Sequence, residues 1–193
     1  MIVWLNGPFG GGKSTIAPMV AAALPDALVV DPERVGHLLW SQLPAALRKE
    51  EFELEPVWPL MTRSLLQGMT AAYGRPLVVP MTVVRPVVFD ALIGGLRADG
   101  LVVWHFSLLA APGTIRERLR HRMAERGEKP DRWGELSWEG LQVDRCLSAL
   151  LEPRFGRHVD TEYRSPAEVT AEIMLQMTAG EGSRESPRPH LGE

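Results

Sequence analysis

The chain has little of what would tie it to a membrane, an oxidising compartment or a nucleic acid. Cys146 is its only cysteine, which excludes a disulfide framework and a metal cluster of the CxxC type. The longest apolar stretches, residues 16–24 and 101–112, are shorter than the ~20 residues of a membrane-spanning helix. A net charge of −3, with only three lysines, gives no overall attraction to nucleic acid or an anionic membrane. These absences favour a protein of the reducing cytoplasm whose anion sites are local.

The size of the chain fits one domain. With 193 residues and 45% hydrophobic content it can bury a core without disulfides or metal. The amino terminus has no basic segment and enters the first apolar run at once, so we expect no cleaved signal peptide. Residues 179–193 have almost nothing to bury, and we expect them to form a disordered tail after a domain of residues 1–178.

A glycine-rich stretch after residues 2–5 has the spacing G-x-x-x-x-G-K-S of a phosphate-binding loop. Small residues let successive amides turn inward around an anion, and the next helix directs its positive end at the same point. Lys13 would reach the β- and γ-phosphates, and the Ser14 hydroxyl would bind a bridging magnesium ion. The sequence therefore predicts ATP and Mg²⁺ as cofactors. The expected nucleotide-binding residues here are Gly7, Pro8, Phe9, Gly10, Gly11, Gly12, Lys13, Ser14 and Thr15.

Strand and helix patterns alternate along the rest of the chain, which predicts a five-stranded parallel sheet covered by helices on both faces. We expect strands at residues 2–5, 27–30, 76–79, 101–106 and 158–159. We expect helices after the glycine loop and at residues 33–43, 58–73, 87–96, 112–123, 136–151 and 165–177. His105 falls inside the fourth strand, so we expect it to be a core histidine.

Asp31 is the carboxylate best placed for chemistry, because ligands of such sheets bind beyond the carboxyl ends of the strands. It directly follows the second predicted strand, where it would hold the metal's water shell or accept a proton from an attacking hydroxyl. The alternative is that Asp31 only caps the helix opened by Pro32. Glu33 is a weaker candidate for the same chemistry.

The most basic segment contains Arg118, Arg120 and Arg122 and is followed by Arg126, Lys129 and Arg132 in a polar loop. Arg118 and Arg122 are four residues apart and share a helix face, so both guanidinium groups would point toward one anion. The alternative is a solvated basic face paired with nearby glutamates. Other cations without an assigned partner, any of which would suit a second anionic ligand, are Arg34, Arg63, Arg85 and Arg145.

Together these segments resemble the small P-loop kinase group of adenylate, gluconate and shikimate kinases, and more closely the ATP-binding tunicamycin-resistance proteins. The resemblance spans about residues 1–178. It rests on Trp4-Leu5-Asn6-Gly7, Asp31-Pro32-Glu33, Pro80-Met81-Thr82, His105-Phe106, Arg118-Leu119 with Arg122, and Asp144-Arg145-Cys146.

The resemblance implies a P-loop NTPase fold with strand order 2-3-1-4-5 and a small lid at about residues 124–134. It implies that Arg118 borders the adenine, that Arg122 contacts the phosphates, and that Arg145 faces the transferred phosphoryl group. Residues 161–166 would back the adenine. One departure is that many relatives in the wider group carry an acidic residue at the end of the third strand, where this chain has Pro80-Met81-Thr82.

Three functions fit these expectations. The first is transfer of the ATP γ-phosphoryl group to a hydroxyl of a nucleoside-like antibiotic such as tunicamycin, with Lys13, Asp31, Arg122 and Arg145 as the catalytic residues. The second is ATP-dependent sequestration of the drug without chemistry, which the missing third-strand carboxylate favours. The third is a metabolic nucleotide or sugar-acid kinase. The expected partner is a small molecule in each case, and the sequence indicates no oligomeric state.

Overall fold

Strands and helices alternate along the chain, as the hydrophobic pattern predicts. A computed structural model describes residues 1–127 and 137–182. Its strands are β1 (Ile2–Asn6), β2 (Leu28–Val29), β3 (Leu77–Pro80), β4 (Val103–Leu109) and β5 (His158–Asp160). They form one parallel sheet in the order β2-β3-β1-β4-β5. The predicted P-loop fold and strand order are therefore confirmed.

Helices connect the strands and cover both faces of the sheet. They are α1 (Lys13–Ala23), α2 (Glu33–Gln42), α3 (Trp58–Tyr73), α4 (Pro86–Phe89), α5 (Gly95–Ala98), α6 (Pro112–Glu125), α7 (Trp138–Leu150) and α8 (Pro166–Gly182). A π-helical segment, Asp90–Gly94, joins α4 to α5, so the single helix predicted for residues 87–96 has an irregular centre. Short 3₁₀ turns lie at Ala45–Leu47, Phe52–Leu54 and Pro153–Phe155.

Alternate residues of the central strand β1 pack into two separate hydrophobic cores. Ile2 and Trp4 pack into the cluster formed with α2, α3 and the α4–α5 region, whereas Val3 and Leu5 pack against α1 and α8. Successive side chains of a strand point to opposite faces, so a strand covered on both faces has no polar side. This is why all five residues of β1 are buried.

The second strand differs from the prediction. A buried strand was expected at residues 27–30, but β2 has two residues, and Val29 is 47% exposed. The physical reason is its position at the edge of the sheet, where it pairs with β3 alone. Likewise β4 begins at Val103, two residues later than predicted, and continues to Leu109.

The carboxyl-terminal helix is longer than expected. α8 continues to Gly182, so residues 179–182, which the sequence assigned to a disordered tail, are helical. The prediction was wrong for these four residues, and residues 183–193 lie outside the described part of the chain. None of the helices described is long and apolar enough to cross a bilayer.

Candidate functional site

A tight loop follows β1 and leads directly into α1. Gly10 and Gly12 have φ values of +80° and +93°, a left-handed conformation that residues with side chains rarely adopt. The amide of Gly11 donates to the carbonyl oxygen of Pro8 over 2.9 Å, which curls the loop. Gly12 then caps α1, whose first amides have no partner within the helix and point toward the loop. This arrangement suits an anion at the helix N-terminus.

Gly10 lies so close to α6 that it has no room for a side chain. A Cβ atom there would lie 2.9 Å from the carbonyl oxygen of Ile115 and 3.0 Å from Cγ of Leu119. Both α6 residues are fully buried. The glycine therefore serves a close approach between loop and helix in addition to the turn.

The Asn6 side chain joins the loop to strand β4 and to the segment that follows β3. Its Oδ1 accepts from the amides of Gly7 at 2.9 Å and Val83 at 3.0 Å. Its Nδ2 donates to the Val83 carbonyl oxygen at 2.7 Å and lies 3.1 Å from Nε2 of His105. Because an amide NH₂ has only donor hydrogens, this His105 nitrogen is the acceptor. The start of the loop is thus held by the segment after β3 and by β4.

His105 is the core histidine that its strand position predicts, since it is 2% exposed and contacts the rings of Phe89 and Phe155. Burial, together with the charge of Arg97, lowers the pKa of His105 to about 4. The ring is therefore neutral at pH 7, which agrees with an Nε2 that accepts from Asn6.

The segment after β3 makes two further contacts that support the loop. The buried Thr82 hydroxyl donates to the Gly7 carbonyl oxygen over 2.7 Å. The carbonyl oxygen of Met81 accepts from the indole nitrogen of Trp4 over 3.0 Å. The Pro-Met-Thr segment thus has a structural role beside the phosphate loop.

Lys13 is held against carbonyl groups of its own loop. Its Nζ donates to Gly7 over 2.8 Å and to Pro8 over 3.0 Å, and it lies 5.5 Å from the centre of the Phe9 ring. Burial lowers the pKa of Lys13 to about 8, an effect that nearby Cys146 and Glu33 partly offset. Anionic oxygens bound in the loop would favour the protonated amine more strongly than these carbonyl groups do.

The loop opens onto a cavity of about 910 Å³. The volume falls within the range of small-molecule sites, about 300–1,000 Å³. Besides residues 9–16, the described residues that line it include Thr114, Glu117, Arg118, His121, Arg122, Glu125 and Arg126 of the α6 side, Glu139 of α7, and Thr161, Arg164, Pro166 and Val169 near β5 and α8.

Arg118 and Arg122 line this cavity together, as their helical spacing predicts. Arg118 donates to the hydroxyl of Thr161 at 3.0 Å and to its carbonyl oxygen at 2.7 Å, which fixes the guanidinium between α6 and the chain after β5. Arg122 lies close enough to Lys13 to lower its pKa, and its buried Nε has no hydrogen-bond partner among the described residues. Arg122 is thus the cation with unused donor capacity beside the loop.

Asp31 lines a second cavity together with Ser14 and Glu33. Its Oδ1 accepts from the Glu33 amide over 2.9 Å, and its Oδ2 lies 3.7 Å from Nε of Arg34. The Asp31 side chain therefore binds the amide of the first residue of α2. Burial and the charge of Asp31 raise the pKa of Glu33.

The residues around Ser14 fit a magnesium ion. Hydroxyl and carboxylate oxygens are donors that Mg²⁺ prefers, and the ion usually keeps several waters and binds substrate phosphates. No group of three or more His, Cys, Asp or Glu side chains in residues 1–127 and 137–182 is placed to hold a metal ion. Ser14 and Asp31 would therefore act together with phosphate oxygens and water.

Arg145 is not among the residues around the loop cavity. Its Nη2 lies 3.8 Å from Oε1 of Glu51, whose Oε2 accepts from Arg85 over 3.0 Å. Beside them is Glu53, whose pKa burial raises to about 7, with Glu51 acting in the same direction. The charge of Glu53 in turn raises the pKa of Lys13, which indicates that this polar cluster lies near the loop.

Sequence reasoning missed Glu51 and Glu53, since they lie in a charged stretch expected to be irregular, part of which forms the 3₁₀ turn Phe52–Leu54. Arg85 was noted only as a cation without an assigned partner. No local pattern predicts this cluster, because its members come from three segments separated by more than 30 residues.

The comparison with known families agrees with this geometry. Residues 2–142 match the model of a family described as an AAA domain. The chain belongs to this P-loop family. The match includes the glycine loop, the sheet up to β4, and α6 with Arg118 and Arg122. No curated protein matches the chain in sequence.

Solved structures of P-loop proteins share the whole fold. The tunicamycin resistance protein of Deinococcus radiodurans is 30% identical over 91% of this chain and 94% of that one, with a TM-score of 0.74. A gluconokinase from Sinorhizobium meliloti 1021 is 16% identical over 95% and 97%, with a TM-score of 0.61. A sugar kinase from Janibacter sp. HTCC2649 is 18% identical over 92% and 94%, with a TM-score of 0.58.

These findings confirm the resemblance to the tunicamycin-resistance proteins within the small P-loop kinase group. The two kinases below 20% identity show the fold alone. Most of the predicted lid, at about residues 124–134, lies outside the described part of the chain, which stops at Gly127 and resumes at Ser137. The lid stays a prediction.

Proposed function

We propose that this P-loop protein transfers the γ-phosphoryl group of ATP to a hydroxyl of a nucleoside-like small molecule, with tunicamycin as the first candidate. The observation that carries the proposal is the loop formed around Lys13, which opens onto a cavity of about 910 Å³ lined by two arginines of α6. The relation to the Deinococcus radiodurans tunicamycin resistance protein supports the choice of acceptor.

The nucleotide would lie along the loop cavity. Loop amides of residues 7–15, Lys13 and Arg122 would bind the phosphates, because transfer depends mainly on positioning and on neutralising charge on the moving group. Arg118, held by Thr161, would border the adenine. Ser14 would hold a magnesium ion, and Asp31 would either hold the water shell of that ion or accept the proton of the acceptor hydroxyl. When bound, the ion supplies charge neutralisation at phosphate oxygens.

In the transfer step the acceptor oxygen forms a bond to the γ-phosphorus while the bond from phosphorus to the bridging oxygen breaks, and ADP leaves with that electron pair. The hydroxyl proton passes to a carboxylate of this chain. Asp31 is the first candidate, and Glu53 is the second, since a pKa of about 7 suits a base at neutral pH. Arg145 would approach the transferred group from the side of Glu51.

Mass spectrometry of tunicamycin incubated with the protein and magnesium ATP tests the proposal. We expect a product heavier by one phosphate group, with an equal amount of ADP. Lys13→Ala should lose at least 100-fold in rate, on the order of what removal of a transition-state contact costs. The matched control is Lys49→Ala, which removes an exposed lysine and should keep the wild-type rate.

Two charge-removing variants assign the base in the same assay. Loss of a general base typically lowers the rate by about 10² to 10⁴. We expect Asp31→Asn to show this loss and Glu53→Gln to lose less than tenfold. The reverse order would assign the proton to Glu53. Unmodified drug with every variant and with the wild type contradicts transfer.

The alternative function is ATP-dependent sequestration of the drug without chemistry. It is favoured by Pro80-Met81-Thr82, because this segment supplies no carboxylate after β3 and its Thr82 hydroxyl donates to the loop. Sequestration predicts that tunicamycin is retained by the protein with ATP, released without it, and recovered at its original mass.

A further inference from the structure

A second concave surface of about 690 Å³ lies beside the loop cavity, at the edge of the sheet. It lies between α1 and the short strand β2 on one side and helices α2 and α3 on the other. We call it the apolar groove. The apolar side chains that line it include Ala17, Val29, Val35, Leu38, Leu65 and Met69.

Three of these side chains are exposed although they converge on one depression. Val29 is 47% exposed, Leu38 55% and Leu65 40%, and each comes from a different element. Single exposed apolar residues are ordinary on protein surfaces, but a concave surface lined mainly by apolar side chains with a few polar groups is typical of a small-molecule site. Asp31 and Arg34 supply such polar groups here, because both line the same groove.

The apolar groove is continuous with the loop cavity. Ser14, Glu33 and Pro80 line both. Ser14 lies in the first turn of α1, where a helix N-terminus binds phosphate. The shared wall therefore lies where the terminal phosphate of a nucleotide would meet its acceptor. One molecule can therefore present a hydroxyl at this wall and extend an apolar part away from it.

We propose that the apolar groove binds an apolar group of the acceptor, so that the substrate class is an amphiphile with a hydroxyl-bearing polar head and an alkyl or aromatic part. The inference rests on the proposed function, because it takes the acceptor hydroxyl to lie at the shared wall. Asp31 and Arg34 face the polar head at the rim, and Val29, Leu38 and Leu65 contact the apolar part. The volume of the groove is within the ~300–1,000 Å³ range of small-molecule sites, which favours such a ligand over a protein partner.

A series of n-alkyl β-D-glucosides, from methyl to octyl, is a suitable probe. Each is titrated below its micelle concentration into the full chain with magnesium and a non-hydrolysable ATP analogue, with calorimetry as the readout. Burial of one methylene group strengthens binding by about fourfold. We expect the affinity to rise by about twofold to fourfold per methylene until the groove is filled.

Two variants and a matched control locate the effect. Leu65→Asp on α3 should remove the dependence on chain length, and Leu38→Asp on α2 gives the same test if the first variant does not fold. Leu60→Asp is the control, because Leu60 lies on the same helix, is 62% exposed and does not line the groove. It should keep the wild-type dependence.

Four results overturn the inference. The first three are an affinity that does not change with chain length, a dependence that survives in both Leu65→Asp and Leu38→Asp, and absence of octyl glucoside binding. A wild-type dimer that Leu65→Asp converts to a monomer, measured by light scattering, also overturns it by showing that a second copy covers the groove. A chain-length dependence together with unmodified tunicamycin overturns the transfer reaction and leaves the groove's ligand class intact.

Discussion

At the scale of single residues, the site depends on side chains that hold the loop more than on side chains that face it. Asn6 uses its oxygen and nitrogen to join Gly7 to Val83 and to His105. The Thr82 hydroxyl also donates to the Gly7 carbonyl oxygen. A buried amide whose groups are all paired fixes geometry strongly, because each unpaired group would cost about 1–3 kcal/mol. The loop is therefore shaped before any nucleotide binds.

The close approach at Gly10 predicts the effect of a single methyl group. Gly10→Ala places a Cβ 2.9 Å from the Ile115 carbonyl oxygen at a φ of +80°, so the loop must move away from α6. We expect nucleotide affinity to fall by at least tenfold, measured by calorimetry. Gly100→Ala is the matched control, since φ there is +82° with open space around the added Cβ. It should lower the free energy of unfolding by about 1 kcal/mol and keep the affinity. Equal affinities in both variants would contradict the steric explanation.

The neutral His105 ring predicts a pH dependence of stability. The unfolded chain binds this proton near pH 6.5 and the folded chain only near pH 4, so the unfolded state holds more protons between these values. Stability is therefore complete above pH 6.5 and falls as the pH drops toward 4. From pH 7.5 to 5 we expect His105 to account for a loss of about 2 kcal/mol in the free energy of unfolding.

Urea denaturation at the two pH values measures this loss. We expect His105→Gln to be less stable than the wild type at both pH values. Its loss of stability between pH 7.5 and 5 should be smaller than that of the wild type by about 2 kcal/mol. His121→Gln, which changes an exposed histidine, is the control and should keep the wild-type pH dependence. An unchanged pH dependence in His105→Gln would show that the ring is not held neutral by burial.

At the scale of elements, the hydrophobic pattern predicts which strands and helices pack against the core. It does not predict which strand lies at the edge of the sheet. β1 and α3 lie where periodicity places them, because a run of apolar residues and a helical stripe each reflect burial against the same core. β2 was predicted to be buried, yet Val29 is exposed, since no local pattern reveals which strand lies at the edge. That exposed edge is one wall of the apolar groove.

Helix α6 shows how much of the candidate site could be predicted from the sequence. The spacing of Arg118 and Arg122 predicts that both face one anion, and both line the loop cavity. The contact from Arg118 to Thr161 joins residues 43 positions apart, so it depends on the pairing of β4 with β5. Only the family resemblance indicated that these two segments meet.

At the scale of the whole molecule, parallel strand order gathers the candidate site from distant parts of the chain. The glycine loop follows β1, Asp31 follows β2, Thr82 follows β3 and Thr161 follows β5, and the carboxyl ends of all these strands meet at one edge. Order 2-3-1-4-5 places β1 in the centre, so its loop has neighbours on both sides. The positions of Glu51 and Glu53 depend on this assembly and not on their local sequence, which is why the charged stretch gave no indication of them.

Calorimetry of magnesium ATP binding tests the central claim, which is that the glycine loop binds a triphosphate around Lys13. We expect saturable binding to one site at pH 8, accompanied by uptake of up to about half a proton, because Lys13 has a pKa of about 8 and becomes fully charged against phosphate. Heats in buffers of different ionisation enthalpy give the uptake, which should vanish toward pH 6. Lys13→Arg keeps the charge, so it should bind without this uptake. The absence of any saturable heat with folded wild-type protein would contradict the account.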